Sequence, residues 1–328
     1  MITVTVLAYD YAFASAIMGI NDLLSLAGVS WNKINNLEAK PKFNVQIASW
    51  DGKPIRTLNN LMITPHCAIQ DVVHSDVYLV PGMAGDIEKT LEINQGLVEF
   101  LGKLKGATQI IGSNSTGSFF LAEAGLLDGK TATTHWGLID TFKKRYPKVN
   151  LIEDSLLTHD SNLLCDGGGL AWFDLGLHLI ELFCDHDTAV GSAKTFILDT
   201  GRSIQMSYSP LISNRYHNDE TVYQIQQYID ANFNSGLSIA RLCEQFGLTH
   251  RTLIRRFKAA AGLTPIEYIQ QVRLNAACKY LVQTNKTVDE ITHAIGYSDI
   301  SSFTKLFKKH MGLAASHYRA RYQPISQH

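Results

Sequence analysis

The sequence has few of the features that mark exported, metal-binding or membrane-spanning proteins. Only five cysteines occur in 328 residues. Because they are odd in number, far apart and without metal-ligand spacing, we expect free thiols in a reducing cytoplasm. The opening MITVTVLAYD is an alternating strand pattern without the basic segment of a signal peptide. The most apolar stretch, Gly169 to Phe183, is interrupted by Asp174, His178 and Glu181. We therefore expect a cytoplasmic protein that contacts no membrane and holds no metal or cofactor.

Charge is divided unevenly along the chain, although the net charge is only −1. Residues 219 to 328 contain 13 Lys and Arg against 8 Asp and Glu, whereas residues 1 to 218 contain 16 against 22. A basic third on a neutral protein is typical of a part that binds a polyanion such as nucleic acid. A basic solvated surface is the alternative, so charge alone does not decide between the two.

Strand and helix patterns alternate up to about residue 200. The strand-like runs are ITVTVLA, FNVQIAS, DVYLVPG and TQIIGS, and the stretch EKTLEINQGLVEFLGKLK is predicted as one helix. This alternation predicts a doubly wound α/β domain, in which helices cover both faces of a parallel sheet. Ligands of such domains bind at the carboxyl ends of the strands.

One strand end carries the stretch IIGSNSTGSFF, which places Ser115 at the apex of a strand–turn–helix corner. Enzymes mount nucleophiles on such corners, but the motif here is S-x-S-x-G instead of G-x-S-x-G. A serine nucleophile needs a general base and an oxyanion hole. His135 is the nearest candidate base, and Gly82 and Met83 are candidate backbone donors.

The last third is predicted to be all helical and contains an internal repeat. LSIARLCEQFGLTHRTLIRRFKAAAGLTPIEYI is followed, 49 to 50 residues on, by KTVDEITHAIGYSDISSFTKLFKKHMGLAASHYRAR. Each copy predicts a short helix, a turn with glycine and a second helix starting at Thr249 or Ser298, which is helix-turn-helix spacing. Ser238 and Thr287 are predicted N-caps, and Pro265 is predicted to start a connecting helix.

The second helix of each copy is predicted to bury one stripe and expose another. Leu253 and Phe257, and then Phe303 and Phe307, form the buried stripes. The side chains predicted to face DNA are Arg251, Ile254, Arg255, Lys258, Ile300, Ser301, Thr304, Lys305 and Lys308. These residue types can contact base edges or phosphates in the major groove. A protein-binding helical repeat is the alternative, but two copies at a fixed spacing favour DNA.

At these residues the chain resembles the AraC/XylS family of transcription regulators, whose DNA-binding domain is two helix-turn-helix units joined by a long helix. The resemblance rests on AIGYSDISSFTKLFKKHMG and covers Thr221 to Tyr322. It departs from the family at Ala314 and Ala315, where Ser/Thr-Pro is usual. The resemblance implies that bases are read by Arg251, Ile254 and Arg255, then Ile300, Ser301, Thr304 and Lys305. It also implies a double-stranded DNA operator, and RNA polymerase as a partner if the protein is an activator.

Residues 2–200 resemble the ThiJ/PfpI branch of the class I glutamine amidotransferase-like (flavodoxin-like) fold, as in the sensor half of GlxA-type AraC regulators. The resemblance rests mainly on STGSFFLAEAGLLDGKTATTHW. The elbow residue of that superfamily is a cysteine, here replaced by Ser115, and its acid on the first helix aligns with Ala16. The resemblance therefore implies a degenerate elbow, no enzymatic activity and a retained effector pocket. The predicted pocket residues are Asp10, Gly82, Met83, Ser115, Thr116, His135 and Trp136.

Several of these pocket residues also have simpler interpretations. His135 fits a satisfied core imidazole, and Trp136 fits packing instead of stacking on a cation. Asp10 fits a turn former, as does Asp166 at a further predicted strand end. Related GlxA-type regulators respond to amino acids and quaternary amines, which implies an effector of that kind. We interpret the chain as a homodimeric, effector-controlled transcription regulator. The alternative is an amidase or hydrolase that uses Ser115 and carries a DNA-binding module.

These patterns predict the domain boundaries. Residues 1–210 form the sensor and dimerisation domain, residues 211–218 the linker, and residues 219–328 the DNA-binding domain. The linker lies in SYSPLISNRYHNDE, which has no clear periodicity.

Overall fold

The computed structural model describes residues 1–107, 109–199, 205, 217 and 219–322. The chain forms two compact units, Met1–Met206 and Ser207–His328. The first unit ends four residues before the boundary predicted at residue 210. The predicted linker, residues 211–218, lies outside the described residues except for His217, as do residues 206–210 and 323–328.

The first unit alternates strands with helices. Its strands are β1 (Ile2–Leu7), β2 (Phe43–Ser49), β3 (Ile55–Arg56), β4 (Met62–Ile63), β5 (Cys67–Ala68), β6 (Val77–Val80), β7 (Ile110–Ser113), β8 (Thr131–Ala132), β9 (Asn150–Leu151), β10 (Leu157–Asp160) and β11 (Leu163–Asp166). Its helices are α1 (Ala14–Ser25), α2 (Ser30–Ile34), α3 (Ile87–Ile93), α4 (Gln95–Lys103), α5 (Ser118–Glu123), α6 (Ile139–Arg145), α7 (Trp172–Phe183) and α8 (His186–Phe196).

The main sheet has the strand order β10-β11-β7-β6-β1-β2-β5, and among its described pairs only β10 runs antiparallel to its neighbour. The inner strand β6 is buried at every residue, as expected for a parallel sheet covered on both faces. The chain moves outward from β1 in one direction and returns to β6 on its other side, so the topological switch point lies between β1 and β6. The predicted doubly wound α/β class is confirmed.

The stretch predicted as one helix after β6 is two helices. α3 ends at Ile93 and α4 begins at Gln95. Asn94 separates them because its backbone is not helical, with φ −109° and ψ 29°. Its side chain bonds to the carbonyl oxygen of Thr90 at 2.8 Å. Asparagine favours such local bonds over a helix interior, and hydrophobic periodicity does not show this break.

The second unit is helical throughout its described residues. Its helices are α9 (Glu220–Asn232), α10 (Ile239–Phe246), α11 (His250–Ala261), α12 (Pro265–Gln283), α13 (Val288–Ala294), α14 (Ile300–Met311) and α15 (Ala315–Tyr322). α12 is the predicted connecting helix, and Pro265 is its first residue. Its N-terminal half packs into a core with α9, α10 and α11, and its C-terminal half into a second core with α13, α14 and α15.

The two helix-turn-helix units have matching caps. Ser238 caps α10, and Thr287 caps α13 in a reciprocal capping box with Glu290, as predicted. Gly262 and Gly312 end α11 and α14 in the left-handed conformation that glycine favours, with φ 74° and 70°. Despite Ala314 and Ala315, α15 forms and begins at Ala315.

Candidate functional site

The corner around Ser115 has the backbone geometry of a nucleophile elbow. β7 ends at Ser113, and the 3-10 turn Ser115–Gly117 leads directly into α5. Ser115 has φ 53°, a left-handed conformation that is uncommon for a residue other than glycine and stores backbone strain. Gly117 is needed here because a Cβ at this position would lie 2.5 Å from the carbonyl oxygen of Val80.

A buried carboxyl group holds this corner from behind. Asp166, the last residue of β11, accepts hydrogen bonds from the Ser115 backbone N–H at 3.0 Å and from Asn114 Nδ2 at 2.8 and 3.1 Å. Burial raises the pKa of Asp166 well above its usual range, and these donors oppose that rise. The Ser115 N–H is therefore committed to the fold and does not face a ligand.

The backbone donor proposed from sequence at Met83 is also engaged. Its N–H donates to Thr116 Oγ1 at 2.7 Å, and the Thr116 hydroxyl donates to the Met83 carbonyl oxygen at 2.5 Å. The carbonyl oxygen of the neighbouring Gly82 accepts from the Phe13 N–H at 2.8 Å, which joins the loops after β1 and β6. An oxyanion hole needs N–H groups that point at the reacting oxygen. Met83 does not supply one.

His135 and Trp136 lie in the turn after β8. His135 Nδ1 accepts from the Gly137 N–H at 3.1 Å, and its ring centroid lies 5.1 Å from that of Trp136. Partial burial lowers the pKa of His135, so the neutral imidazole predominates at pH 7. Within the described part of the chain, neither His135 nor any other side chain forms a hydrogen bond with the Ser115 hydroxyl. The serine–histidine pair of a hydrolase is not formed.

The position aligned with the acid of catalytic relatives holds no carboxylate. Ala16 lies on α1 and lines a small cavity of about 10 Å³ with Asn114 and Trp172. Alanine cannot orient a base, so this position supplies no acid to the corner.

Asp10 lies apart from the corner. It lines a cavity of about 420 Å³ together with Trp50, Lys53 and Asn94, and the lining of this cavity includes neither Ser115 nor His135. Asp10 Oδ1 accepts from the Arg56 N–H at 2.7 Å. The structure thus brings Gly82, Met83, Ser115 and Thr116 together at the corner, while Asp10 faces a separate cavity.

The second helices of the two repeats begin at side-chain caps. Thr249 caps α11 by accepting from the Thr252 N–H at 3.3 Å. The start predicted at Ser298 is wrong, because α14 begins at Ile300. Asp299 is the cap, since its carboxylate accepts from two backbone N–H groups, those of Ser301 and Ser302, at 3.2 and 2.7 Å.

These two helices expose matching faces. Leu253 and Phe257 on α11 and Phe303 and Phe307 on α14 are completely buried. Arg251, Arg255, Lys258, Ile300, Ser301, Lys305 and Lys308 are exposed, and Ile254 and Thr304 are partly exposed. In the described part of the chain none of the Arg and Lys side chains in this set forms an ion pair. Both helices therefore present cationic groups to solvent.

Comparisons with known proteins agree with both halves. Residues 30–182 match the DJ-1/PfpI family, and residues 242–321 match a helix-turn-helix domain family. The chain is 28% identical over 293 residues to the HTH-type transcriptional regulator CdhR of Pseudomonas aeruginosa, covering 88% of this chain and 86% of CdhR. It is 26% identical over 294 residues to GbdR of the same species, covering 89% and 79%. The chain is a DNA-binding transcription regulator of the AraC family with a DJ-1/PfpI-like domain.

A solved structure supports the fold of this regulator. The crystal structure of an AraC family transcriptional regulator from Pseudomonas putida has a TM-score of 0.51 and 18% identity, covering 60% of the regulator and 100% of that chain. No described helix of the regulator is long and apolar enough to cross a membrane. Its five cysteines are free, and its described residues contain no cluster of three side chains suited to a metal ion.

Two polar residues that hold the regulator's corner and its surroundings were not predicted from the sequence. Asn114 bonds to Asp166, which the sequence suggested only as a turn former, although both residues follow strands that end at the same sheet edge. Gln205 is buried near the corner, with 1% of its surface exposed. No motif or strand pattern in the sequence included it.

Proposed function

We propose that a small-molecule effector controls the regulator by binding, without being turned over, at the sheet edge that carries Ser115. The proposed pocket residues are Gly82, Met83, Ser115, Thr116, His135 and Trp136, without Asp10, which lines the separate cavity. The resemblance to GlxA-type regulators favours an amino acid or an amine as the effector. A chemically inert pocket suits a sensor, because the signal has to persist while DNA is bound.

One observation carries the non-catalytic part of this proposal. The N–H group of Met83, a candidate oxyanion donor from the sequence, donates to Thr116 instead, and no described side chain bonds to the Ser115 hydroxyl. Removing a single oxyanion-hole donor costs a hydrolase about 10²–10³ in kcat. With the Met83 donor engaged, and without a base at the hydroxyl, turnover is not supported.

For DNA we propose that Arg251, Ile254 and Arg255 of α11 read one set of bases. Ile300, Ser301, Thr304 and Lys305 of α14 read a second set, and Lys258 and Lys308 add contacts. Two observations support this proposal. These side chains are exposed or partly exposed, and the Arg and Lys side chains among them form no ion pair with any described residue. The Thr304 hydroxyl donates to the Ile300 carbonyl oxygen at 2.8 Å, so it has only acceptor capacity left for a base.

We also propose a homodimer formed through the first unit, acting in the cytoplasm. One regulator would place two recognition helices in successive major grooves, about 34 Å apart, and a dimer would double that footprint. RNA polymerase is a further partner if the regulator is an activator. Sedimentation of the protein, free and bound to DNA, tests this assembly, and a monomer in both samples would contradict it.

A thermal-shift screen of the full-length protein against amino acids and amines tests the sensor role. A ligand that binds only the native state raises the melting temperature. The hit is then incubated with the protein and followed by mass spectrometry. Recovery of unchanged ligand supports a sensor, whereas conversion of the ligand would contradict it.

The strained backbone of Ser115 favours an amidase or hydrolase as a second candidate, since that strain is the geometry of a nucleophile elbow. For a catalytic serine, Ser115→Ala would lower turnover of an amide or ester by orders of magnitude with little change in binding. For a binding surface, the same change removes one hydroxyl and costs about 0.5–1.5 kcal/mol of ligand affinity.

A further inference from the structure

The side-chain carboxamide of Gln205 lies in a buried polar pocket beside the corner, here named the amide socket. The socket is formed by Thr133, Thr134, Trp136, Glu153 and Ser155. Gln205 Nε2 lies 3.0 Å from Thr133 Oγ1 and 2.9, 3.1 and 3.2 Å from the carbonyl oxygens of Thr134, Glu153 and Ser155. Its Oε1 accepts from the Trp136 backbone N–H at 3.0 Å. Every polar atom of this side chain is therefore engaged.

The donors and acceptors of the amide socket select one chemical group. Four acceptors surround the nitrogen, and a single N–H points at the oxygen. A carboxylate would place its second oxygen against three carbonyl oxygens, and an ammonium group would leave the part-buried Trp136 N–H without its acceptor. A primary carboxamide satisfies both sides at once.

The amide socket is also shaped for an inserted group. A Cβ at Gly167 would lie 2.4 Å from Gln205 Nε2, so a side chain there would close the space. Gly167 directly follows Asp166, which holds the Ser115 N–H. Thr134 makes a second link, because its hydroxyl lies 3.4 Å from the Ser115 carbonyl oxygen and 2.8 Å from Ser118 Oγ. The amide socket and the corner therefore share walls.

Gln205 occupies this position near the end of the first unit, which closes at Met206. The DNA-binding unit follows in the chain, and α9 begins at Glu220. A ligand that took the place of the Gln205 side chain would therefore release Gln205 from the amide socket. Gln205 lies one residue before the end of the first unit.

We propose that the amide socket is a binding site for a primary carboxamide and that Gln205 is its built-in occupant. An effector carboxamide displaces Gln205, and the displacement changes DNA binding. This inference rests on the proposed sensor function and names the chemical group by which the effector is anchored. The notion that Trp136 stacks on a cation is not needed, since its backbone N–H makes the contact.

Propionamide tests the amide socket, because it reproduces the Gln205 side chain as a free molecule. Its binding to full-length wild type and to Gln205→Ala is measured by calorimetry, with propionate and propylamine as matched probes that each lack half of the carboxamide. If Gln205 fills the amide socket in nine of ten wild-type molecules, wild type binds propionamide about tenfold more weakly than a protein whose socket is empty. We expect Gln205→Ala to bind propionamide at least about tenfold more tightly than wild type, and to bind neither matched probe.

The proposal is overturned if wild type and Gln205→Ala bind propionamide with equal affinity. It is also overturned if Gln205→Ala binds propylamine as tightly as it binds propionamide. If Gln205→Ala does not fold, Gln205→Asn replaces it, because it keeps the carboxamide but withdraws it by one methylene group. We expect Gln205→Asn to bind propionamide more tightly than wild type, and equal binding again overturns the proposal.

A second measurement separates this inference from the sensor function. The affinity of full-length protein for a duplex selected by wild type is compared between wild type and Gln205→Ala, with and without propionamide. We expect Gln205→Ala to bind that duplex differently from wild type and propionamide to reverse the difference. Unchanged DNA affinity overturns the coupling through Gln205. If an effector found by thermal shift binds wild type and Gln205→Ala equally, the socket proposal fails while the sensor function stands.

Discussion

Backbone N–H groups of the corner at Ser115 are paired within the protein, whereas the charged groups on the exposed faces of α11 and α14 form no ion pair with any described residue. At the corner, backbone N–H groups that point inward are taken by Asp166 and Thr116, and the residues are almost fully buried. On the recognition helices, Arg255 and Lys305 point to solvent and form no ion pair with any described residue. The hydrogen bonds of the corner therefore stabilise its own backbone, whereas the charged side chains of the recognition faces remain available to bind a partner.

The difference shows how one chain can retain an enzyme-like backbone and still act as a regulator. A strained turn needs support whether or not it catalyses, and a buried carboxyl group supplies it here. A DNA-reading face gains nothing from internal pairing, because each pair would have to be broken on binding. Substitutions at the corner should therefore lower the free energy of unfolding, whereas substitutions on the recognition faces should lower DNA affinity.

The largest effect is expected at Asp166. Asp166→Ala removes the acceptor of the Ser115 N–H and of one Asn114 N–H, while Asn114 Nδ2 keeps its 3.0 Å bond to the Gly168 carbonyl oxygen. Each buried donor left without an acceptor costs about 1–3 kcal/mol, so the free energy of unfolding should fall by about 2–5 kcal/mol. Urea unfolding followed by tryptophan fluorescence measures this, because all four tryptophans lie in the first unit. Asp86→Ala is the control, since it removes an exposed helix cap worth about 1 kcal/mol. Equal losses in the two variants would show that Asp166 does not support the corner.

The next effect concerns Arg255. Arg255→Ala should cost about 1–3 kcal/mol of DNA affinity and relax base preference at one position. Affinity and preference are measured by binding selection from a randomised duplex library. Lys279→Ala, an exposed basic residue on the connecting helix α12, is the control. An even loss over all sequences would make Arg255 a phosphate contact instead of a base contact.

A smaller effect is expected for the ion pair of Arg256, which follows Arg255 but bonds within the fold. Arg256 Nε bonds to Asp219 Oδ2 at 2.6 Å, and this bond lowers the pKa of Asp219 below its usual range. The pair therefore stabilises the fold above the unfolded-state pKa of Asp219, and the contribution is lost as the pH falls through the lowered pKa. Asp219→Asn keeps a side chain able to cap α9 but removes the charge, so it should cost up to about 1 kcal/mol at pH 7.

Urea unfolding followed by circular dichroism measures the Asp219 effect at pH 7 and again in acid. The stability difference between wild type and Asp219→Asn should shrink in acid, where the wild-type carboxyl group is protonated as well. A difference that stays constant with pH would show that the charge of Asp219 contributes nothing.

The smallest effect is expected at Ser115 itself. Its hydroxyl forms no hydrogen bond with the described residues, so Ser115→Ala should change the free energy of unfolding by less than about 0.5 kcal/mol. DNA affinity should stay at the wild-type value. Chemical denaturation and a DNA-binding isotherm check both statements, and a large loss of stability would reveal a contact that the hydroxyl makes in solution.

Local patterns predicted most of the fold. Period-2 and period-3.6 alternation indicated the parallel sheet and the helical repeat, and the 50-residue spacing of Phe257 and Phe307 indicated two equivalent buried stripes. The caps at Ser238 and Thr287 followed from residue type. The start of α14 was predicted at Ser298 instead of Asp299, because serine and aspartate both cap helices and only the structure shows which one accepts the N–H groups.

Contacts between distant segments could not be predicted. Asn114 and Asp166 are separated by 52 residues, and Gln205 lies 72 residues from Thr133. Single-sequence patterns report which face of an element is buried, but they do not report which polar groups meet across the sheet edge. The composition of the corner was therefore predictable, and its internal hydrogen bonds were not.

The most direct test of this account measures DNA affinity of the full-length protein as a function of salt concentration. The wild type is compared with the double variant Arg255→Ala/Lys305→Ala. Counterion release makes the logarithm of the association constant fall with the logarithm of salt, by about 0.9 for each phosphate neutralised. We predict a steep slope for wild type, together with weaker and less sequence-selective binding by the variant. Wild-type binding that is absent at low salt, or identical affinity and selectivity of the two proteins, would contradict it.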